Sequence, residues 1–238
     1  MKRFFVSCIL AGFVAAGTAC AADPAPKVDL KTEDDKTLYA LGLVLASQLG
    51  ALRLTPAELQ LIEAGLTDGV LKNKTLVEVE AYGPKIKPFA DARMAAGTAD
   101  EKKKGTAYLE TIAAKPGVKK TESGLLIETV TAGTGKSPVA NDKVKVNYKG
   151  MLIDGKVFDA SEKHGGPYGV TVAGNPPIIK CWNDALVLMK VGGKAKIYCP
   201  PELSYGDRAN GEIPAGATLT FDLELVEIVA ADAAPAKK

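Results

Sequence analysis

Asp159, Tyr205 and Trp182 are the residues of this 238-residue chain best suited to chemistry. They stand in a stretch, Val144 to Phe221, that also carries Tyr148, Phe158, Tyr168, Ile178, Ile179, Ile213 and Phe221 in short β-like runs. Aromatic side chains with a polar tip suit a concave site that is dry yet offers a few hydrogen bonds. A carboxylate at its edge adds one oriented charge. Such a hollow can hold a small apolar ring and favour a distorted form of a bound group without forming a bond to it. Taken by periodicity alone, each apolar member has packing in a hydrophobic core as its competing reading.

Five motifs carry these residues in order: Val144-Lys-Val-Asn-Tyr148-Lys-Gly150, Asp154-Gly-Lys-Val-Phe158-Asp159, Ile178-Ile179-Lys-Cys181-Trp182, Pro200-Pro-Glu-Leu-Ser-Tyr205-Gly206, and Ile213-Pro-Ala-Gly-Ala-Thr-Leu-Thr-Phe221. Together they resemble the FKBP family of peptidyl-prolyl cis/trans isomerases over roughly residues 118 to 229, about the size of one ordinary domain. The resemblance implies a role for each residue. Trp182 is the floor under a proline ring, with Tyr148, Phe158, Ile178 and Phe221 as walls. Ile179 donates its backbone N–H to the peptide, and Tyr205 its hydroxyl to a substrate carbonyl. Asp159 lies beside the imide carbonyl carbon. Tyr168 and Ile213 form the rim. Asp159, Tyr205, Ile179 and Trp182 are thus the expected catalytic residues.

An amide resists rotation by about 18–20 kcal/mol, because twisting the C–N bond forfeits resonance. Isomerisation breaks no covalent bond, so the resemblance implies no cofactor and no metal. Lowering the barrier by about 7 kcal/mol supplies roughly five orders of magnitude in rate. The expected partners are proline-containing unfolded or partly folded polypeptides, with macrolide-type inhibitors competing for the same hollow. The rival reading is a non-catalytic chaperone or peptide-binding module.

The chain departs from the family pattern in places. Cys181 stands where the family often has Gly, and His164 stands where it commonly has Arg, five positions after Asp159. An imidazole there replaces a permanent cation by one whose charge can change near neutral pH. An exposed loop histidine between Lys163 and Gly165 is the other reading. The loop Gly206 to Glu212 is slightly short, which touches the rim contacts.

The first residues give a basic start (Lys2, Arg3), an apolar run from Phe4 to Ala16, and small residues Ala19-Cys20-Ala21. This pattern predicts a signal peptide over residues 1–21 and a flexible leader over 22–30, hence an exported, periplasmic protein. Lipoprotein processing at Cys20 ranks behind, because Gly17 occupies the place of a large aliphatic residue. No later stretch approaches the roughly 20 apolar residues of a membrane span. Export would leave Cys181 and Cys199 in an oxidising compartment, where they can pair, or stay as two buried thiols. There is no Cys-x-x-Cys, which argues against a thiol oxidoreductase. A net charge of +2 carries no nucleic-acid footprint, and Lys102-Lys103-Lys104 reads as a solvated helix face.

Helices must precede the strands. Thr32-Glu-Asp-Asp35 opens one whose apolar stripe is Leu38, Leu41, Leu45 and Leu49. Thr55-Pro56-Ala-Glu58 opens a second, with Leu59, Ile62, Leu66 and Val70. Gly83-Pro84 and Pro88 predict an interruption, followed by a long helix to about Ala114. After Lys115-Pro116-Gly117 the period changes to the alternation of half-buried antiparallel strands, with one short helix near Trp182 to Met189.

The expected architecture is α+β: an antiparallel sheet wrapped around a short helix over 117–230, preceded by an all-α domain over 31–116, and a disordered tail over 231–238. The helices followed by this domain resemble the macrophage-infectivity-potentiator class of bacterial FKBPs, through Tyr39-Ala-Leu-Gly42 and Glu101-Lys-Lys-Lys-Gly-Thr-Ala-Tyr-Leu-Glu110. That likeness implies a homodimer through the helical part. Physically, short amphipathic helices enclose little core alone, so a second copy would bury stripes otherwise left in water. Docking onto the chain's own second domain is the alternative.

Overall fold

The computed structural model describes residues 28–175 and 177–229. The expected signal peptide, the cleavage site, Cys20 and the carboxy-terminal tail lie outside the described residues. The described chain forms two compact units. One comprises Leu54–Lys74 with the described residues up to Gln48, the other Leu49–Arg53 with the described residues from Thr75 onward.

The first unit holds helices α1 (Glu33–Leu49) and α2 (Pro56–Leu71). Both begin as their sequences predict. The Asp35 N–H donates to Thr32 Oγ1 at 3.0 Å while the Asp35 carboxylate accepts from the Thr32 N–H at 2.8 Å. Thr55 and Glu58 make the same reciprocal pair at α2, with Pro56 in the first helical position. Neither helix buries a residue. Their stripes stand in solvent, Leu38 at 67% and Leu66 at 54% exposure.

In the second unit α3 runs unbroken over Val79–Ala113, with Pro84 and Pro88 inside it. The interruption predicted at these prolines does not occur. They lie four apart, and each deletes one i→i−4 hydrogen bond, freeing the carbonyls of Glu80 and Pro84. This part of the helix is almost wholly exposed, so water can satisfy both oxygens.

The sheet has seven antiparallel strands: β1 (Val118–Lys120), β2 (Leu126–Thr131), β3 (Lys143–Leu152), β4 (Val157–Ala160), β5 (Tyr168–Thr171), β6 (Lys194–Cys199) and β7 (Leu219–Val229). Their order is β1-β2-β6-β7-β3-β4, and β5 also pairs with β3. Alternation decides which face is buried. Val144, Val146 and Tyr148 of β3 and Leu219, Phe221, Leu223 and Leu225 of β7 point inward, against α4 (Lys180–Leu186). Burying each such side chain contributes about 1.5–3 kcal/mol relative to exposure. The opposite face carries Asn147, Lys149, Lys194, Lys196, Asp222 and Glu224 in cross-strand pairs.

A smaller cluster of Ile112, Leu126 and Tyr198, with Tyr108, Leu109 and Val118 against it, packs the end of α3 onto β1, β2 and β6. The sequence places a domain boundary at 116/117. The compact units divide near Lys74, because this cluster joins α3 to the sheet.

Candidate active site

The outer edge of β3 is shared. Its first half pairs with β5 and its second half with β4. Between them the turn Ser161–His164 fills the gap, and the Tyr148 N–H donates to the buried Ser161 Oγ at 3.2 Å. This local break leaves Tyr148 and Asp159 free to face inward and meet above α4. There they border a cleft of about 380 Å³ lined by Tyr148, Phe158, Asp159, His164, Tyr168, Pro177, Ile178, Ile179, Trp182, Tyr205 and Phe221.

The aromatic rings form one arc of edge-to-face contacts. Tyr168 meets Tyr148 with centroids 6.0 Å apart, Tyr148 meets Trp182 at 5.0 Å, Trp182 meets Phe221 at 5.5 Å, and Phe221 meets Phe158 at 5.7 Å. Edge-to-face pairs stabilise beyond their area because the positive ring edge meets the negative ring face. Gly150 makes the last pair possible, since a Cβ there would lie 2.6 Å from Phe158 Cζ and 2.9 Å from Phe221 Cε1. Trp182 is only 6% exposed, yet the cleft reaches it.

Asp159 is the one carboxylate among the described residues that line the cleft, and its oxygens are occupied. Tyr148 Oη donates to Oδ2 at 2.5 Å, while Oδ1 accepts from the Ala160 N–H at 2.9 Å and lies 2.9 Å from His164 Nε2. Burial pushes its pKa up, but the hydrogen bonds from Tyr148, His164 and Ala160, with the His164 charge, outweigh burial and hold it below the usual carboxylate range. Burial, and then the bond to Asp159, drive the Tyr148 phenol the other way, well above its ordinary value. Tyr148 therefore stays a donor and Asp159 an anion. A group so engaged is an oriented charge and is poorly placed to become a nucleophile or a mobile base.

Cys181 and Cys199, both fully buried, are joined by a disulfide with Cα atoms 5.8 Å apart. It ties the residue before Trp182 to the strand that leads into Pro200, Pro201 and Tyr205. Ile179 caps the N-terminus of α4, and its carbonyl accepts from the Trp182 N–H at 3.1 Å.

Nine of the ten residues expected at the site line the cleft. The exception is Ile213, which the rim reading misplaces. Its side chain is 4% exposed and packs in the main core, held there by the short bridge between Asn210 and Ile213. An apolar residue in a turn gives no sign of which way it points. Pro177 and His164 border the cleft as well. Pro177 carries no signal beyond its place next to Ile178. His164 is half-exposed, as a loop histidine would be, and bonded to Asp159, as an anchor would be. Among the described residues no group of histidine, cysteine and carboxylate side chains is arranged to hold a metal.

A second concavity of about 340 Å³ lies on the outer face of the sheet. Four of its charged residues pair across strands, Lys194 with Glu224 at 3.4 Å and Lys196 with Asp222 at 3.7 Å, and Lys149 and Glu162 also border it.

Comparison with known proteins agrees with this geometry. The family model for FKBP-type peptidyl-prolyl cis-trans isomerase matches residues 134–226, and that for the domain amino terminal to FKBP-type peptidyl-prolyl isomerase matches residues 34–128. The chain is 38% identical over 236 residues to the FKBP-type peptidyl-prolyl cis-trans isomerase FkpA of Escherichia coli, covering 94% of this chain and 85% of that protein. It is 34% identical over 238 residues to the peptidyl-prolyl cis-trans isomerase Mip of Coxiella burnetii, covering 96% and 99%. The crystal structure of FkpA from Escherichia coli superposes with a TM-score of 0.64 at 37% identity, covering 84% of this chain and 98% of that one. An aromatic hollow with one pinned carboxylate, on a sheet that wraps a short helix behind an amino-terminal helical region, places this chain among the FKBP-type peptidyl-prolyl cis/trans isomerases.

Proposed function

We propose that this isomerase acts by holding the twisted imide in the arc Tyr148–Trp182–Phe221–Phe158, with no covalent step. Twisting the C–N bond concentrates a lone pair on nitrogen and reduces charge separation across the amide. A dry aromatic cleft therefore favours the twisted form over either planar one. Trp182 supports the proline ring, while Phe158, Ile178 and Phe221 wall it in. The Ile179 N–H and the Tyr205 hydroxyl hold the flanking peptide, and Tyr168, 47% exposed, receives the residue before proline. Asp159 acts on the carbonyl carbon as a fixed negative charge. The observation that carries this reading is the full engagement of the Asp159 oxygens by Tyr148, Ala160 and His164.

The clients are proline-containing unfolded or partly folded polypeptides, with export to the periplasm supported by the basic and apolar start of the chain. Among the described residues no helix is long and apolar enough to cross a membrane. The exposed stripes of α1 and α2 support a homodimer through the helical region, with macrolide-type compounds competing at the cleft. A proline-tetrapeptide isomerisation assay tests the residue roles. Asp159→Leu and Tyr205→Phe should each lower kcat/KM about tenfold or more, the equivalent of about 1.4 kcal/mol. Undiminished catalysis in both variants sinks these assignments.

A further inference from the structure

The long helix touches the loop that carries Tyr205. Three α3 residues at i, i+4 and i+7, hence on one face, meet the segment between Tyr205 and β7. Lys102 Nζ lies 2.6 Å from Asp207 Oδ1. Gly105 is buried against Thr218, close enough that a Cβ would collide with Thr218 Oγ1 and come within 3.0 Å of its Cβ. Gly216, with φ +76°, runs so near Thr98 that a Cβ on it would sit 2.7 Å from the Thr98 carbonyl oxygen. The solvated face expected of the lysine run thus holds for Lys103 and Lys104, whereas Lys102 reaches across to the loop.

These contacts are relayed to the cleft by backbone bonds. The Gly216 N–H donates to the Gly206 carbonyl at 2.8 Å, and the Gly206 N–H to Pro201 at 2.9 Å. Gly206 follows Tyr205 directly. Farther along α3, Tyr108, Leu109 and Ile112 pack on Leu126 and Tyr198, so the helix is clamped both to the sheet and to this loop. Thr218 Oγ1 is buried there with no hydrogen-bond partner among the described residues. Steric fit, rather than a polar bond, decides how closely the helix approaches.

We propose that α3 is a positioning element of the isomerase site: its Thr98–Lys102–Gly105 face sets the Tyr205–Thr218 loop and, through it, the placement of the Tyr205 hydroxyl in the cleft. The inference rests on the role given to Tyr205 above. A displacement of about 1 Å in a positioned group can cost up to about a hundredfold in rate. A methyl group forced between α3 and Thr218 therefore lowers turnover even though no α3 residue borders the cleft.

The test is a double-mutant cycle on the full chain with a proline tetrapeptide, at a temperature where circular dichroism shows every variant folded. Gly105→Ala should lower kcat/KM by about three- to tenfold. In the Tyr205→Phe background it should lower it by less than twofold, because the hydroxyl it misplaces is already gone. Lys102→Ala, which leaves the steric fit intact, should follow the same pattern at about twofold, as an exposed ion pair contributes little. It carries the cycle if Gly105→Ala does not fold. A Gly105→Ala loss that persists in full in the Tyr205→Phe background overturns the inference, and so does a fall in melting temperature with kcat/KM unchanged. If Tyr205→Phe alone has no effect, the role of Tyr205 itself fails, which the single variant reports separately.

Discussion

Replacing Tyr148 by Phe removes one oxygen and keeps the ring that packs edge-on against Trp182 and Tyr168. What is lost is the 2.5 Å hydrogen bond to Asp159 Oδ2. A hydrogen bond to a charged group contributes about 1.5–3 kcal/mol. The Asp159 side chain is 37% exposed, so water replaces part of that bond, and a loss of about 1–2 kcal/mol is expected at neutral pH. The sign with pH follows from linkage. The Asp159 carboxyl is held below its ordinary value in the folded state. Its contribution is therefore fully present above the unfolded carboxylate range and disappears as pH falls through the folded pKa. The gap between wild type and Tyr148→Phe should thus be widest near neutral pH. As pH falls and Asp159 takes up its proton, the gap should narrow toward the roughly 0.5–1 kcal/mol of a neutral hydrogen bond. Urea unfolding at pH 7 and near pH 3 measures this, and Trp182, the only tryptophan of the chain, reports it from beside the substituted ring. An equal destabilisation at both pH values would refute the reasoning, since it would assign the loss to packing and leave Asp159 uninvolved.

Two further expectations concern features that depart from the family pattern. Removing the disulfide with Cys181→Ala and Cys199→Ala together frees a loop with a sequence separation of 18, which the chain-entropy relation values at about 3 kcal/mol. A reversible melt should drop accordingly, and a shift of under about 2 °C would show that the bridge does not constrain the unfolded chain. His164→Ala should alter the pH dependence of kcat/KM that wild type shows, because it removes the imidazole that lies 2.9 Å from Asp159 Oδ1. An identical pH–rate profile in both proteins would reduce His164 to a loop residue that happens to reach Asp159.

Much of this protein is legible along the chain because local rules suffice for it. Both capping boxes, the alternation of β3 and β7 and the short helix at Trp182 depend on residues a few positions apart. The cleft residues are legible for another reason. Spread over more than 70 positions from Tyr148 to Phe221, they are marked by the order of motifs that resembles the family, and periodicity does not distinguish them from core. Ile213 shows the limit, since motif order placed it at the rim and packing put it in the core.

What the chain order could not supply was anything settled by contact between distant segments. Pro84 and Pro88 read as breaks, yet α3 passes through them, because solvent exposure rather than proline count decides whether freed carbonyls find a partner. Gly97 and Gly105 are poor helix formers by propensity. In the fold both are buried: Thr218 approaches Gly105 too closely for a side chain, and the Arg53 side chain lies over Gly97, 3.0 Å from where a Cβ would stand. Helix formation, strand alternation and the chemical character of the hollow follow from short-range pattern and residue type. The pinning of Asp159, the seating of α3 on the Tyr205 loop and the burial of Ile213 follow from close packing, in which space is allotted among segments that no local pattern relates.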